Sequence, residues 1–331
     1  MKVHRLVELS VIVILCFSCK NKTNDNLSGN ATDFVPTLES EITNSKNYIY
    51  CATILLAKDH LGKVLNSEIT TDSNNKDLER IINSSSFIGT LNKSEYNVSS
   101  DVEGDNINIK TDFKKALPFK RDFKSFSHVL NFKNTQVSSF GTFGYDLSIF
   151  DFDIDTTLMI LYYKNDNDFI LKLTPKNAGN EIILFKTLEK YNTMTKILNK
   201  IDQNIKIGRY ESLNKKLNWK FYINDEDTIV IPKISFDMTK DFNELIGEKI
   251  QTNKQSYFIG QFSQRIAFEL NEKGASLESS AEIDVSAAEE ERPKPRNMKF
   301  DNNFFLMIKK TNQKNPYLGM WITNSDLMEK E

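Results

Sequence analysis

Between Gly274 and Pro293 the chain alternates at strand period. Ala275, Leu277, Ser279, Ala281, Ile283, Val285 and Ala287 are small or apolar, while Ser276, Glu278, Ser280, Glu282, Asp284 and Ser286 fill the other face. The run is roughly twice the ~5 to 6 residues of an ordinary strand, with one face suited to burial and one to water. Gly274 on one side and Arg292-Pro293-Lys294-Pro295 on the other bracket it with turn residues. It therefore fits either a long edge strand followed by a linker or an exposed loop.

The rest of the chain has to supply a sheet for such a segment, and it reads as strands preceded by helices. Tyr48, Cys51, Leu55 and Leu65 recur at helical spacing, so a first helix is expected over Ser45 to Leu65, and a short second one over Asp77 to Ile82 behind the Asn74-Asn75 cap signal. Tyr96 to Val102 and Ile107 to Phe113 flank Glu103-Gly104-Asp105 as a hairpin. Further strands are expected at Ser127 to Phe132, Gln136 to Phe143, Leu158 to Tyr163, Phe169 to Thr174 and Glu181 to Phe185. The series continues with Trp219 to Ile223, Thr228 to Phe236, Tyr257 to Leu270, Phe304 to Lys309 and Leu318 to Thr323. Met194, Ile197, Leu198 and Ile201 mark a helix between Tyr191 and Gln203, and Asp241 to Ile246 reads as a short one. The order is α+β.

At the start, Lys2, His4 and Arg5 precede an apolar run from Leu9 to Phe17, far short of the ~20 residues of a membrane span and of the length of a secretory signal. Ser18-Cys19 after that run resembles the lipobox of bacterial lipoproteins, with Cys16 where an aliphatic residue is usual. The resemblance implies cleavage of residues 1–18 and acylation of Cys19, hence lipid anchoring at the outer membrane or cell surface of a bacterium, the alternative being a secreted protein. A polar tether is expected over 19–44 and one domain over 45–331. Cys51 then stands alone, so no intrachain disulfide forms and a buried helix thiol is expected.

Lys and Arg number 43 against 45 Asp and Glu, for a net charge of -2, which gives no field to draw in nucleic acid. Catalytic motifs are missing too: there is no G-x-S-x-G elbow, no phosphate loop and no dinucleotide fingerprint. His60 and His128 lack Cys or carboxylate companions at ligand spacing, and Asp151, Asp153 and Asp155 lack the Gly and terminal Glu of a calcium loop. No metal, no cofactor and no enzymatic activity are expected.

One stretch is specific. Ala267-Phe268-Glu269-Leu270-Asn271-Glu272-Lys273-Gly274-Ala275 resembles the hinge of the serpins, which feeds the small-residue stretch of their reactive-centre loop. Downstream, Phe300 to Ile308 and Asn315-Pro316-Tyr317-Leu318-Gly319 resemble the closing strands of that family, and Ile231-Pro232-Lys233-Ile234-Ser235-Phe236 resembles an upstream strand. Leu117-Pro118-Phe119 extends the likeness more thinly. Departures are Ala275 where Thr or Ser is usual, Leu277 and Glu278 in the small-residue run, and only some sixty residues from the first helix to Leu117, where the family has several helices.

The resemblance implies a serpin-like multi-sheet α+β fold with an N-terminal helix, a reduced helical region and C-terminal strands. It implies an inhibitor of serine or cysteine proteases acting through a loop near 275–295. Glu272, Gly274, Ala275, Ser276 and Leu277 would form the hinge, with the scissile region at Ala287, Ala288 and Glu289. Ala287 and Ala288 suit an elastase-like protease as partner, and a monomer is expected. The alternative function is a non-inhibitory surface lipoprotein that binds a protein partner.

Overall fold

The computed structural model describes residues 31–143, 157–176, 179–224, 226–275 and 295–331. Strands β1 (Thr32–Val35) and β2 (Asn47–Cys51) come first, then helices α1 (Thr53–Val64) and α2 (Lys76–Asn83). Strands β3 (Tyr96–Glu103), β4 (Asn106–Phe113), β5 (Leu117–Pro118), β6 (Lys124–Phe132) and β7 (Thr135–Phe143) follow. Next are β8 (Leu158–Asn165), β9 (Asp168–Leu173), β10 (Asn180–Lys186) and helix α3 (Met194–Ser212). Then come β11 (Thr228–Pro232), β12 (Ile234–Asp241), β13 (Lys249–Gln251), β14 (Ser256–Leu270) and β15 (Gly274–Ala275). The chain ends with β16 (Asn297–Lys299), β17 (Phe304–Lys310) and β18 (Leu318–Ile322).

Three sheets carry the fold. The largest runs β1-β2-β18-β17-β10-β9-β8, a second runs β16-β11-β7-β6, and the third runs β12-β14-β4-β3 with β13 on β14. Their buried side chains form one continuous core. The multi-sheet α+β architecture matches the expectation from the order of periodic segments.

Two expectations at the N-terminal side are corrected. The supposed tether 19–44 does not extend to 44: Thr32–Val35 pairs in parallel with β2, and Phe34, Val35, Leu38 and Ile42 are buried. The helix expected from Ser45 starts only at Thr53, because Asn47–Cys51 is a strand buried on both faces. A strand of that kind has no alternation, and its apolar run cannot be told from a helix by period. Asn47 fixes the arrangement. Its Oδ1 accepts from the backbone N–H of Thr323 (2.8 Å) and of Asn324 (3.0 Å), and its Nδ2 donates to Asn324 Oδ1 (2.7 Å) and Thr32 Oγ1 (3.1 Å). Every hydrogen-bonding atom of this buried amide is satisfied across three segments distant in sequence.

The helices follow from their caps. Asn75 Oδ1 accepts from Asp77 and Leu78 N–H at 3.1 Å each, the N-cap expected. Thr193 Oγ1 caps α3, whose Met194, Ile197 and Ile201 are buried, and the helix runs on to Ser212. Gly208 lets it lie on the sheet, since a Cβ there would stand 2.0 Å from Leu161 O of β8. Trp219 to Ile223 is no strand: Asn218–Phe221 is a short 3-10 turn, and Asn243–Leu245 is another where a helix was expected. The Thr228 to Phe236 run is split at Lys233 into β11 and β12, which belong to different sheets.

Candidate functional site

The fifteen-residue β14 lies inside the third sheet, antiparallel to β12 and parallel to β4. Its even residues Phe262, Gln264, Ile266, Phe268 and Leu270 are buried, while Arg265 and Glu269 face outward and Arg265 Nε donates to Asp237 Oδ1 of β12 at 2.8 Å. On β4 the buried residues are Ile107, Ile109, Thr111 and Phe113. The pairs Phe262↔Ile109, Gln264↔Thr111 and Ile266↔Phe113 hold the two strands in direct contact. The seam is closed: β14 and β4 pair directly, with no strand between them.

At the end of β14 the chain reverses. Asn271 N–H donates to Gly274 O and Gly274 N–H to Asn271 O, both at 3.1 Å, and Asn271 Oδ1 accepts from Lys273 N–H at 2.9 Å. Gly274 has φ +109°, and a Cβ would meet Leu117 O at 2.5 Å, Phe119 N at 2.6 Å and Pro118 Cα at 2.7 Å, so the turn requires glycine. Gly274 and Ala275 then pair antiparallel with Pro118 and Leu117 of β5. Phe119 N–H donates to Lys273 O at 3.0 Å and Phe123 N–H to Glu272 O at 2.8 Å. Phe119 and Phe123 stack edge to face below, with centroids 5.1 Å apart.

The turn is pinned from the other side by Lys233, whose Nζ lies 2.7 Å from Glu272 Oε2. Partial burial pushes the Glu272 carboxyl up, but the Lys233 ammonium, a backbone N–H and the Lys273 charge together outweigh it and hold the group below its ordinary value. Nearby Asp122 is held above its ordinary value, chiefly by burial. Three motifs singled out in the sequence therefore meet: Leu117-Pro118-Phe119, Pro232-Lys233-Ile234 and Asn271 to Ala275. Of the anticipated site residues, Glu272, Gly274 and Ala275 lie in this turn and its pairing with β5. Ser276, Leu277, Ala287, Ala288, Glu289 and the lipidation candidate Cys19 lie outside the described residues.

A buried polar group under the seam escaped the sequence reading. Gln264 Nε2 donates to Thr53 Oγ1 at 2.6 Å and to Cys51 O at 3.2 Å, and Thr53 Oγ1 stands 3.4 Å from Thr111 Oγ1. Its signal was Gln264 itself, an amide in phase with the apolar face of β14. Cys51 is buried as expected but sits on β2, not on a helix, and burial pushes its thiol up to about 11. His128 is on an exposed backbone kink with Nδ1 2.7 Å from Glu331 Oε2. Among the described residues no cluster of three or more His, Cys, Asp or Glu could hold a metal ion, and no helix is long and apolar enough to cross a membrane.

No family model matches the sequence, and no curated protein matches it. Solved structures similar to this chain include serpins. Serpin48 of the insect Tenebrio molitor is 14% identical, with 66% of this chain and 56% of that one covered and a TM-score of 0.38. Human thyroxine-binding globulin in complex with thyroxine is 14% identical over 68% and 58%, with a TM-score of 0.38. A serpin of the trematode Schistosoma haematobium is 12% identical over 66% and 56%, again with a TM-score of 0.38. The chain spans a little over half the length of the serpins it matches.

Proposed function

We propose that this chain is a serpin-like protease inhibitor whose segment after Gly274 is bait, and that cleavage lets the segment enter the β14–β4 seam as a new strand. The observation that carries this reading is a coincidence of three registers. Extending the Asn271↔Gly274 bridge along β14 sets Ser279 opposite Ile266, Ala281 opposite Gln264 and Ile283 opposite Phe262. Extending Ala275↔Leu117 toward β4 sets Ser279 opposite Phe113, Ala281 opposite Thr111 and Ile283 opposite Ile109. Those β14 and β4 residues already face each other in pairs. A single strand thus fits both neighbours at once, with its small and apolar residues on the buried face.

Direction agrees as well. A strand that reverses out of β14 runs antiparallel to it and, because β4 is parallel to β14, antiparallel to β4 too. Entry replaces one parallel ladder by two antiparallel ones, which are slightly more stable per residue. The hinge pair β15–β5 is the first step of that ladder. The seam extends, past a register shift between Ile259 and Gln261, to Phe258 and Asn106, which takes the inserted strand to Ala287 on the β14 side and Ser286 on the β4 side, near the proposed cut after Ala288 by an elastase-like enzyme.

The test is incubation with a panel of serine proteases. An SDS-stable complex, and a nicked form that melts higher than the intact one, are expected. A nicked form no more stable than the intact chain, with no complex, would reject inhibition and leave a partner-binding lipoprotein. Surface anchoring through Cys19 belongs to the same proposal: Cys19→Ala is expected to release the protein from the membrane fraction and to abolish fatty-acid labelling.

A further inference from the structure

Apolar side chains exposed on a folded chain carry meaning when they gather in one place. Among the described residues eleven large ones are exposed, and five of them lie around the C-terminal half of α3: Met159, Ile207, Tyr210, Leu213 and Tyr222. Ile207, Tyr210 and Leu213 recur every third residue on the side of the helix away from buried Asn204 and Gly208, so they form one outward stripe. Tyr210 is 77% exposed and Leu213 85%. Met159 of β8 and Tyr222 line a groove beside the stripe together with Lys206 and Arg209.

Cations surround the patch. Lys206 stands one turn before Tyr210 and Arg209 one turn before Leu213, and Lys215 and Lys216 follow just past the helix end. All four are exposed, and among the described residues none of them has an ion-pair partner. The carboxylates nearby are engaged or set apart: Glu211 binds Lys220 Nζ at 2.9 Å, Glu189 binds Lys200 Nζ at 2.8 Å, and Asp202 lies a turn before Lys206. From Lys196 to Lys220 seven cations stand against two carboxylates, a local charge of +5 in a chain of net -2.

The frame that presents them is fixed. Ser212 Oγ donates to Arg209 O at 2.9 Å, Lys216 N–H to Asn214 Oδ1 at 3.0 Å and Leu217 N–H to Asn214 O at 2.8 Å, which closes the turn after the helix. The next turn, Asn218–Phe221, and Tyr222 after it are held by Arg296, whose side chain is 1% exposed and paired with Asp227. Arg296 Nη1 donates to Lys220 O at 2.7 Å and Nη2 to Tyr222 O, with the guanidinium between the rings of Tyr163 and Trp219.

We propose that this face of α3 and the turn after it dock on a membrane with anionic headgroups: Ile207, Tyr210 and Leu213 enter the headgroup boundary, and Lys206, Arg209, Lys215 and Lys216 bind the lipid phosphates. A protein partner fits less well, because the cores of protein interfaces are depleted of Lys, and three of these four cations are Lys interleaved with the apolar residues. An interfacial lipid site takes the opposite mixture, aromatic and aliphatic side chains at the boundary with long cationic ones reaching to the headgroups. The helix then serves two surfaces, with Met194, Ile197 and Ile201 packed on the sheet and the far side on lipid. The proposal stands apart from the inhibitor reading and from acylation of Cys19, since it concerns which face of the folded chain meets the bilayer.

The experiment uses the full-length chain with Leu213→Trp as a reporter and, in a separate variant, Ile246→Trp, 48% exposed in the turn before β13, as the comparison site. Both positions are exposed, so both variants are expected to melt with wild type. Each is mixed with vesicles of brominated phosphatidylcholine, alone or with added phosphatidylglycerol, and tryptophan emission is read after subtracting the wild-type signal of Trp219 and Trp321. On the anionic vesicles the reporter at 213 is expected to shift to the blue and be quenched while that at 246 is not, and both effects vanish on neutral vesicles and in high salt. Adding Lys206→Glu, Arg209→Glu, Lys215→Glu and Lys216→Glu is expected to raise the lipid needed for half-quenching by at least about tenfold. Should that variant not fold, Lys215→Glu with Lys216→Glu, outside the helix, is expected to move the same way. An anchored N-terminus brings both reporters to the vesicle alike, so the contrast between positions reads the docking face alone. No quenching at 213, or equal quenching at 213 and 246, overturns the proposal and leaves the face to a protein partner. Quenching at 213 that is the same on neutral vesicles and survives charge reversal overturns headgroup recognition.

Discussion

A charge placed on the inward phase of the segment tests the seam at one position. Ile283→Asp sets a carboxylate in the row between Phe262, 3% exposed, and Ile109, 4% exposed. Losing the isoleucine forfeits about 2 to 3 kcal/mol of burial. The carboxylate does not stay charged there. Neutralising it at pH 7 against an ordinary value near 3.9 costs about 4 kcal/mol, which caps the penalty below that of a buried ion. The inserted state thus loses about 6 kcal/mol, and at ~2 °C per kcal/mol for a chain of this size the nicked form gives up about 12 °C of its gain. Ser280→Asp is the control, since its row lies between exposed Arg265 and half-buried Asp112 on the outer face. Scanning calorimetry of intact and nicked forms of both variants reads the result. The sign with pH is fixed as well. The inserted carboxyl titrates above its free value, so insertion is least impaired below about pH 4 and most impaired above it. If Ser280→Asp removes the gain and Ile283→Asp leaves it, the register argument is refuted.

Gly274→Ala is expected to destabilise the uncut protein by about 1 to 3 kcal/mol, because φ +109° is foreign to alanine and the Cβ meets the β5 backbone. Denaturant midpoints measure it, and exchange protection of the Phe119 N–H, which bonds to Lys273 O, falls with it. Glu272, with its carboxyl held low by Lys233 against the opposing effect of burial, contributes stability that is present above about pH 4.3 and lost as the pH falls through its folded value. Urea midpoints between pH 3 and 6 for wild type and Glu272→Gln are expected to converge at the acid end. A constant difference over that range would show that the ion pair adds nothing.

Much of the hinge was legible because its residues are constrained by backbone geometry. Gly274 announces a conformation that other residues avoid, and Asn271 two residues before Lys273 announces a turn. Gln264 was not legible: an amide in phase with the buried residues of β14 interrupts a pattern without saying what it bonds. Arg296 was likewise invisible. Its partners come from residues 163, 219 to 222 and 227, and nothing in the local spacing of a charged residue after a proline tells burial from exposure. The N-terminal strand β2 was misread for the opposite reason, since burial on both faces erases the period that separates strand from helix. The contacts that fix it come from Thr323 and Asn324, nearly three hundred residues away.

That last pairing bears on synthesis. In the largest sheet β18 and β17 stand in the middle, between β2 and β10. A ribosome therefore delivers the two flanks of this sheet long before the strands that join them, and β10 presents an open edge until residue 310 has emerged and β2 until residue 322 has. Contacts so distant in sequence form slowly. The chain is exposed to strand-adding partners for the whole of its production, and a premature stop anywhere before Phe304 leaves two sticky half-sheets rather than a smaller version of the same protein.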